Sequence, residues 1–220
     1  MTRIDTRVTL LLSLVLGLSA PVVDADPTGP AIVAFVNKPE HRQAASATAV
    51  EAFKTLQGCD SGSAESVEPP EFYGSFGPLG VDANGNLSSG LLKEAITVSG
   101  CGKRKVENIL TLSDKGQLKS IVGLPGTSHA DPLLAKDSMR YAYMGVLRKI
   151  GQCKEVRVID TLFDDFEGPP NPRAKFQKNG GRPWRETWTL NACGMLVYTD
   201  IHYIPDETGT TIQTVVPPGK

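Results

Sequence analysis

Eleven residues ending in Cys-Gly occur twice in this chain, and that recurrence limits the fold more than any other feature. Leu92-Lys-Glu94-Ala-Ile-Thr97-Val-Ser-Gly-Cys101-Gly102 and Trp184-Arg-Glu186-Thr-Trp-Thr189-Leu-Asn-Ala-Cys193-Gly194 lie 92 positions apart, with Glu, Thr, Cys and Gly coincident. At the same spacing Asn108 faces Asp200, Ile109 faces Ile201 and Asp114 faces Asp206. After one inserted residue, Val122–Gly126 meets Val215–Gly219. A repeat that recurs in order over this length marks a duplicated structural unit. The flanking segments agree. Pro39 to Gln57 reads as a helix with Ala49, Val50, Phe53 and Leu56 on one stripe and Gly58 as its stop. Asp131-Pro132 is an N-cap followed by proline at the first helical position, and Leu134, Tyr141, Met144, Val146, Leu147 and Ile150 form the stripe of a second helix before Gly151. The expected class is therefore α+β. A tandem duplication gives unit 1 at 39–126 and unit 2 at 127–220, each with one helix on a three- to four-stranded antiparallel sheet, preceded by an N-terminal segment at 26–38.

Residues 1–25 read as a secretory signal peptide: Arg3 and Arg7, then an apolar run from Val8 to Leu18, then Val23-Asp-Ala25 as a cleavage site. The run is about 11 to 13 apolar residues, short of the roughly 20 that span a bilayer. The expected location is periplasmic or secreted. Four cysteines in an exported chain favour two disulfides, with three possible connectivities. The repeat selects pairing within units, Cys59 with Cys101 and Cys153 with Cys193. No CxxC-like pair suggests zinc or redox chemistry. The 23 Lys+Arg and 24 Asp+Glu leave no basic excess for a phosphate backbone, so no nucleic-acid partner is expected.

The strand from Trp184 to Leu190 alternates, placing Trp184, Glu186, Trp188 and Leu190 on one face; its counterpart places Leu92, Glu94, Ile96 and Val98 together. A glutamate thus interrupts the apolar face at the same point twice. The first expectation is a sheet-margin carboxylate paired with Lys or Arg of the same sheet. The sharper one is a ligand groove with Glu94 and Glu186 as polar anchors and Trp184 and Trp188 as walls. Asp82-Ala-Asn84-Gly85-Asn86 departs from an EF-hand, its glycine fourth rather than sixth, and reads as a hairpin turn. Asp160, Asp164, Asp165 and Glu167 read as a solvated strand end and loop rather than a metal site. His41, His129 and His202 fall at a helix start, in a loop and in a strand, with no ligand spacing, and His129 and Asp131 read as loop and cap residues. No metal, cofactor or catalytic residue is implied.

Residues 184–194 and Pro205-Asp-Glu-Thr-Gly209 resemble a C-terminal signature of small exported bacterial proteins of unknown function, a resemblance that implies no activity. In layout alone, two units each with a helix, an antiparallel sheet and a disulfide, the chain is similar to β-lactamase inhibitory protein, and no inhibitory residue carries over. The expected function is an exported non-catalytic binding or interaction protein of the bacterial envelope. It would engage an envelope protein or a small molecule at the boundary between its units and would not span the membrane. The alternatives are an extracytoplasmic hydrolase using paired carboxylates, which requires two carboxyls in one cleft, and a structural envelope component, marked by a flat apolar patch.

Overall fold

In the computed structural model of the chain, residues 29–73, 76–114, 117–174 and 178–217 are described; the signal segment expected at 1–25 lies outside them. The fold is α+β, with three helices and two antiparallel sheets. After α1 (Pro30–Val36) comes α2 (Pro39–Gln57), then β1 (Ser63–Val67), β2 (Glu71–Phe72), β3 (Gly80–Val81), β4 (Leu87–Gly100), β5 (Lys103–Asp114) and β6 (Gln117–Val122). Unit 2 follows as α3 (Pro132–Ile150), β7 (Val156–Phe166), β8 (Trp184–Ala192), β9 (Met195–Pro205) and β10 (Thr210–Val215). The first sheet runs β1-β4-β5-β6, with the two-residue strands β2 and β3 also paired to β4; the second runs β10-β9-β8-β7. The six strands of the first sheet exceed the expected number because of β2 and β3. The segment Glu68-Pro69-Pro70 separates β1 from β2, and prolines cannot donate to a ladder.

Strand pairing repeats in detail. Glu94 opposes Ile109 as Glu186 opposes Ile201, and Ile96 opposes Glu107 as Trp188 opposes Thr199. The bulge between Ala64 and Ser66 in β1 recurs between Val158 and Asp160 in β7, and Phe72 opposes Leu92 as Phe166 opposes Trp184. The last strand corrects the sequence alignment: Val122 pairs with Ile109 and Thr214 pairs with Ile201, so the 92-residue spacing holds to the end of both sheets without an inserted residue. The match of Val122 to Val215 followed residue type at the strand ends rather than ladder register. One disulfide closes each half, Cys59–Cys101 and Cys153–Cys193, and this fits a tandem duplication.

The Cys-Gly pair has a conformational reason. Gly100 opposes Lys103 and Ala192 opposes Met195, so Cys101-Gly102 and Cys193-Gly194 are two-residue hairpin turns. All four residues have positive φ, 49° and 50° at the cysteines, as a type I′ turn requires. A left-handed cysteine costs about 1–2 kcal/mol. The disulfide to the cysteine just past the helix holds it there.

Each helix packs small residues on its sheet. On α2 the buried positions are Ala45, Ala49, Ala52 and Phe53, against Ile96, Val98 and Ile109. On α3 they are Ala135, Ser138, Ala142 and Val146, against Trp184, Trp188, Leu190 and Tyr203. This revises the stripe expected for α3: Tyr141, Met144 and Leu147 are exposed, because the bulky indoles of β8 leave room only for alanine and serine beneath them. Asp131 caps α3 as expected, accepting from the backbone N–H of Leu133 and Leu134, both at 2.9 Å. Lys38, at the same place before α2, makes no side-chain cap.

Candidate functional site: the boundary between the units

The connector 123–131 is the piece that joins the sheets. Asn108 Nδ2 donates to the carbonyls of Leu124 (2.6 Å) and Gly126 (2.9 Å), and the Gly126 N–H donates to Val106 O at 2.7 Å. On its other side the Thr127 N–H donates to Thr161 O, and the Thr161 hydroxyl donates to Pro125 O. Gly126 is required here: its φ is +92°, and a Cβ would lie 2.0 Å from Thr161 O. Gln57 Nε2 reaches Ile159 O at 3.0 Å, and Lys105 is ion-paired with Asp160. Both units therefore hold the connector in register.

Covered this way, the outer face of the first sheet, away from α2, is buried at Lys93, Thr97, Asn108 and Leu110. The cover is incomplete beside β6, where a cleft of about 240 Å³ opens. Tyr73, Lys93 and Leu110 form its floor. One wall is Ile121, Val122 and Leu124, and the other is Pro132, Ala135, Lys136 and Met139 of α3. The wall positions on α3 follow the i, i+3, i+4, i+7 pattern of one helix face. The Lys93 ammonium is 2.9 Å from Glu71, whose carboxylate also accepts from the Tyr73 hydroxyl at 3.3 Å. Burial and the Glu71 charge push the Tyr73 phenol above its ordinary range, so it stays protonated. No Asp or Glu lines the cleft. An apolar hollow with a few fixed polar groups suits ligand capture.

The four residues proposed for a ligand groove lie elsewhere. Glu186 is fully buried and accepts from the indole N–H groups of Trp184 and Trp188, both 2.9 Å, and from the His129 backbone N–H at 2.8 Å. Trp184 stacks on Tyr203 with ring centroids 4.5 Å apart and borders a second cavity of about 210 Å³ with His129, Asp131 and Asp137. Trp188 is wholly enclosed. Glu94, also buried, is 2.7 Å from Nε2 of His41, whose ring packs on Phe35. Neither carboxylate is marginal or paired with Lys or Arg, because β4 and β8 are interior strands and each glutamate points under its own helix. The two lie in separate sheets, so the fold does not bring them into one cleft.

The remaining sequence candidates each have a local partner. Asp164 is 3.2 Å from Arg185 and accepts from Thr187 at 2.8 Å, and Glu167 is 2.8 Å from His202. Asp82 accepts from the N–H groups of Asn84 and Asn86, folding the turn between β3 and β4, and these bonds hold its carboxyl below the usual range.

One buried carboxyl was not legible. Glu107 is fully enclosed and neither oxygen has a hydrogen-bond partner among the described residues. Burial first, then the Asp160 charge, pushes it up to about 7, against the opposing influence of Lys105. It lies in a charged stretch, Lys103-Arg-Lys-Val-Glu107, that reads as exposed; only the alternation with Ile109 hints otherwise.

Among the described residues no helix is long and apolar enough to cross a membrane, and two disulfides are compatible with an oxidising compartment. No protein-family description, curated protein or solved structure matches the chain.

Proposed function

We propose that this chain is an exported, non-catalytic binding protein of the bacterial envelope, periplasmic or secreted, that holds a ligand or partner in the cleft between two units descended from one by duplication. The observation that carries this reading is the cleft itself. It is largely apolar and draws walls from both units, and its polar groups are Lys93, already neutralised by Glu71, the Tyr73 phenol, kept protonated, Asn108, Ser128 and, at the rim, Lys136. Such a lining favours apolar capture with little help for bond making. The equal strand registers and the disulfide in each half support the duplication, and the signal-like segment at 1–25 supports export.

The experiment compares the chain from residue 26 onward with its Ile121→Trp variant, each used as bait in envelope extract. Ile121 is a half-exposed strand position opposite Leu110, on the cleft side of the sheet, that tolerates an aromatic, and the indole fills the cleft. A protein or small molecule retained by the wild type and lost by the variant is the expected result. Identical recoveries contradict the reading.

A further inference from the structure

Sheet edges are where chains recruit other chains, and native proteins protect them with bulges, charges or covering elements. Two of the four outermost long strands here carry such protection. β1 is bulged and bears Glu65, and β7 is bulged twice and bears Asp160, Asp164 and Asp165. β10 is regular but polar, rich in Thr and Gln. β6 is regular and more apolar, with Lys119 as its one charge. It pairs with β5 through six consecutive residues without irregularity, and all six are exposed. Leu118, Ile121 and Val122 are among the exposed large apolar residues of the molecule. Among the described residues no strand pairs with its outer side.

The same edge forms one wall of the boundary cleft, through Ile121 and Val122. Lys136 stands on the opposite wall and Lys119 on β6, and neither has an ion-pair partner among the described residues. Glu71 balances Lys93, and Asp131 is the other carboxylate whose charge reaches Tyr73, so Lys119 and Lys136 together leave this margin net positive. Free backbone donors and acceptors and an adjoining pocket are the elements of recognition by strand addition, and the unpaired lysines add a preference for negative charge.

We propose that β6 and the cleft beside it dock an extended acidic peptide segment of a partner protein, which joins the first sheet as an added antiparallel or parallel strand and seats an apolar side chain between Ile121 and Met139. This inference rests on the binding reading above and names its occupant. Backbone hydrogen bonds supply the pairing, the cleft selects one apolar side chain, and Lys119 and Lys136 select carboxylates.

The test uses the full chain and three labelled octapeptides read by fluorescence anisotropy. One alternates valine with glutamate, one valine with lysine, and one repeats the glutamate peptide with N-methyl groups on alternate backbone amides. The glutamate peptide binds, the other two bind at least about tenfold more weakly, and Lys119→Glu and Ile121→Trp each weaken the first by a similar factor. Amide exchange across 117–122 slows in the complex. Equal binding of the N-methylated peptide, no binding of the glutamate peptide, or dimerisation of the chain through β6 overturns the proposal. An anilinonaphthalene sulfonate probe separates this from the parent reading. If that probe enters the wild-type cleft but not that of Ile121→Trp while the glutamate peptide does not bind, the cleft reading stands and strand addition fails. If neither binds, both fail.

Discussion

The same sheet face meets opposite fates in the two units. In unit 1 the face away from the helix is buried at Lys93, Asn108 and Leu110; in unit 2 the register equivalents are Arg185, Asp200 and His202, exposed or half-buried, and around them Leu162, Leu196 and Tyr198 are each more than half exposed. Pairing register is identical, so backbone geometry does not separate them. Cover does. The connector and the first turns of α3 lie on unit 1's face, and Asn108, which binds two connector carbonyls, is the residue that fixes them there. Two halves with matching strand registers thus supply one sealed face and one open face, with the cleft at the unsealed margin of the first.

Four sets of substitutions break or sharpen this comparison. The largest effect is expected at the repeated glutamate. Glu186→Leu strands three buried N–H donors and should cost about 4 kcal/mol in urea unfolding, whereas Glu94→Leu strands one imidazole and should cost about 2. Combining Glu94→Leu with His41→Leu should recover part of that loss, since both partners are then apolar. Equal costs at the two glutamates would show that the units use them alike.

Removing either disulfide by paired alanine substitution should cost about 3 kcal/mol. The sequence separations are 42 and 40 residues, so the two losses should agree within about 1 kcal/mol by thermal or urea unfolding. A large inequality would mean that one unit tolerates opening and the other does not.

At Glu107 the units differ in chemistry, since its counterpart Thr199 is neutral and donates to Val215 O at 3.2 Å. The Glu107 pKa is raised from 4.5 to about 7 on folding, so the native state binds the proton more tightly than the unfolded chain. That contribution is fully present below the unfolded value and is lost as pH rises through the folded one. Glu107→Gln should therefore stabilise the protein by about 2 kcal/mol near pH 8, have less effect near pH 4, and flatten the intervening slope. A variant whose pH profile overlays the wild type would remove Glu107 from the account.

The smallest effect concerns the helix starts. Asp131→Ala should cost about 1 kcal/mol, and Lys38→Asp, which gives α2 the cap it lacks, should return a few tenths if the loss of the Lys38 bonds to Asn84 and Asn86 is compensated. Circular dichroism during thermal unfolding reads both.

Much of the architecture was legible because it rests on local chemistry. Proline at N1 and glycine after the last turn delimit both helices, and Cys-Gly marks a turn that needs positive φ. The partners of the glutamates were not legible, since His41 comes from a helix and the His129 N–H from a loop. One clue was present: in Trp184-x-Glu186-x-Trp188 the three side chains share a face at the ±2 spacing, so the indole N–H groups can turn toward the carboxylate between them. The cleft and the bare edge of β6 escaped notice because both depend on what the connector covers, which alternation within a strand does not encode.

The sealed face is tested most directly by brief acetylation of the folded chain followed by mass-spectrometric mapping of its lysines. Lys119 and Lys136, both exposed, should modify rapidly, and Lys93, buried against Glu71, should stay protected until the protein is unfolded. Modification of Lys93 at the rate of Lys119 would show that unit 2 does not cover unit 1, and the cleft between them would have no walls.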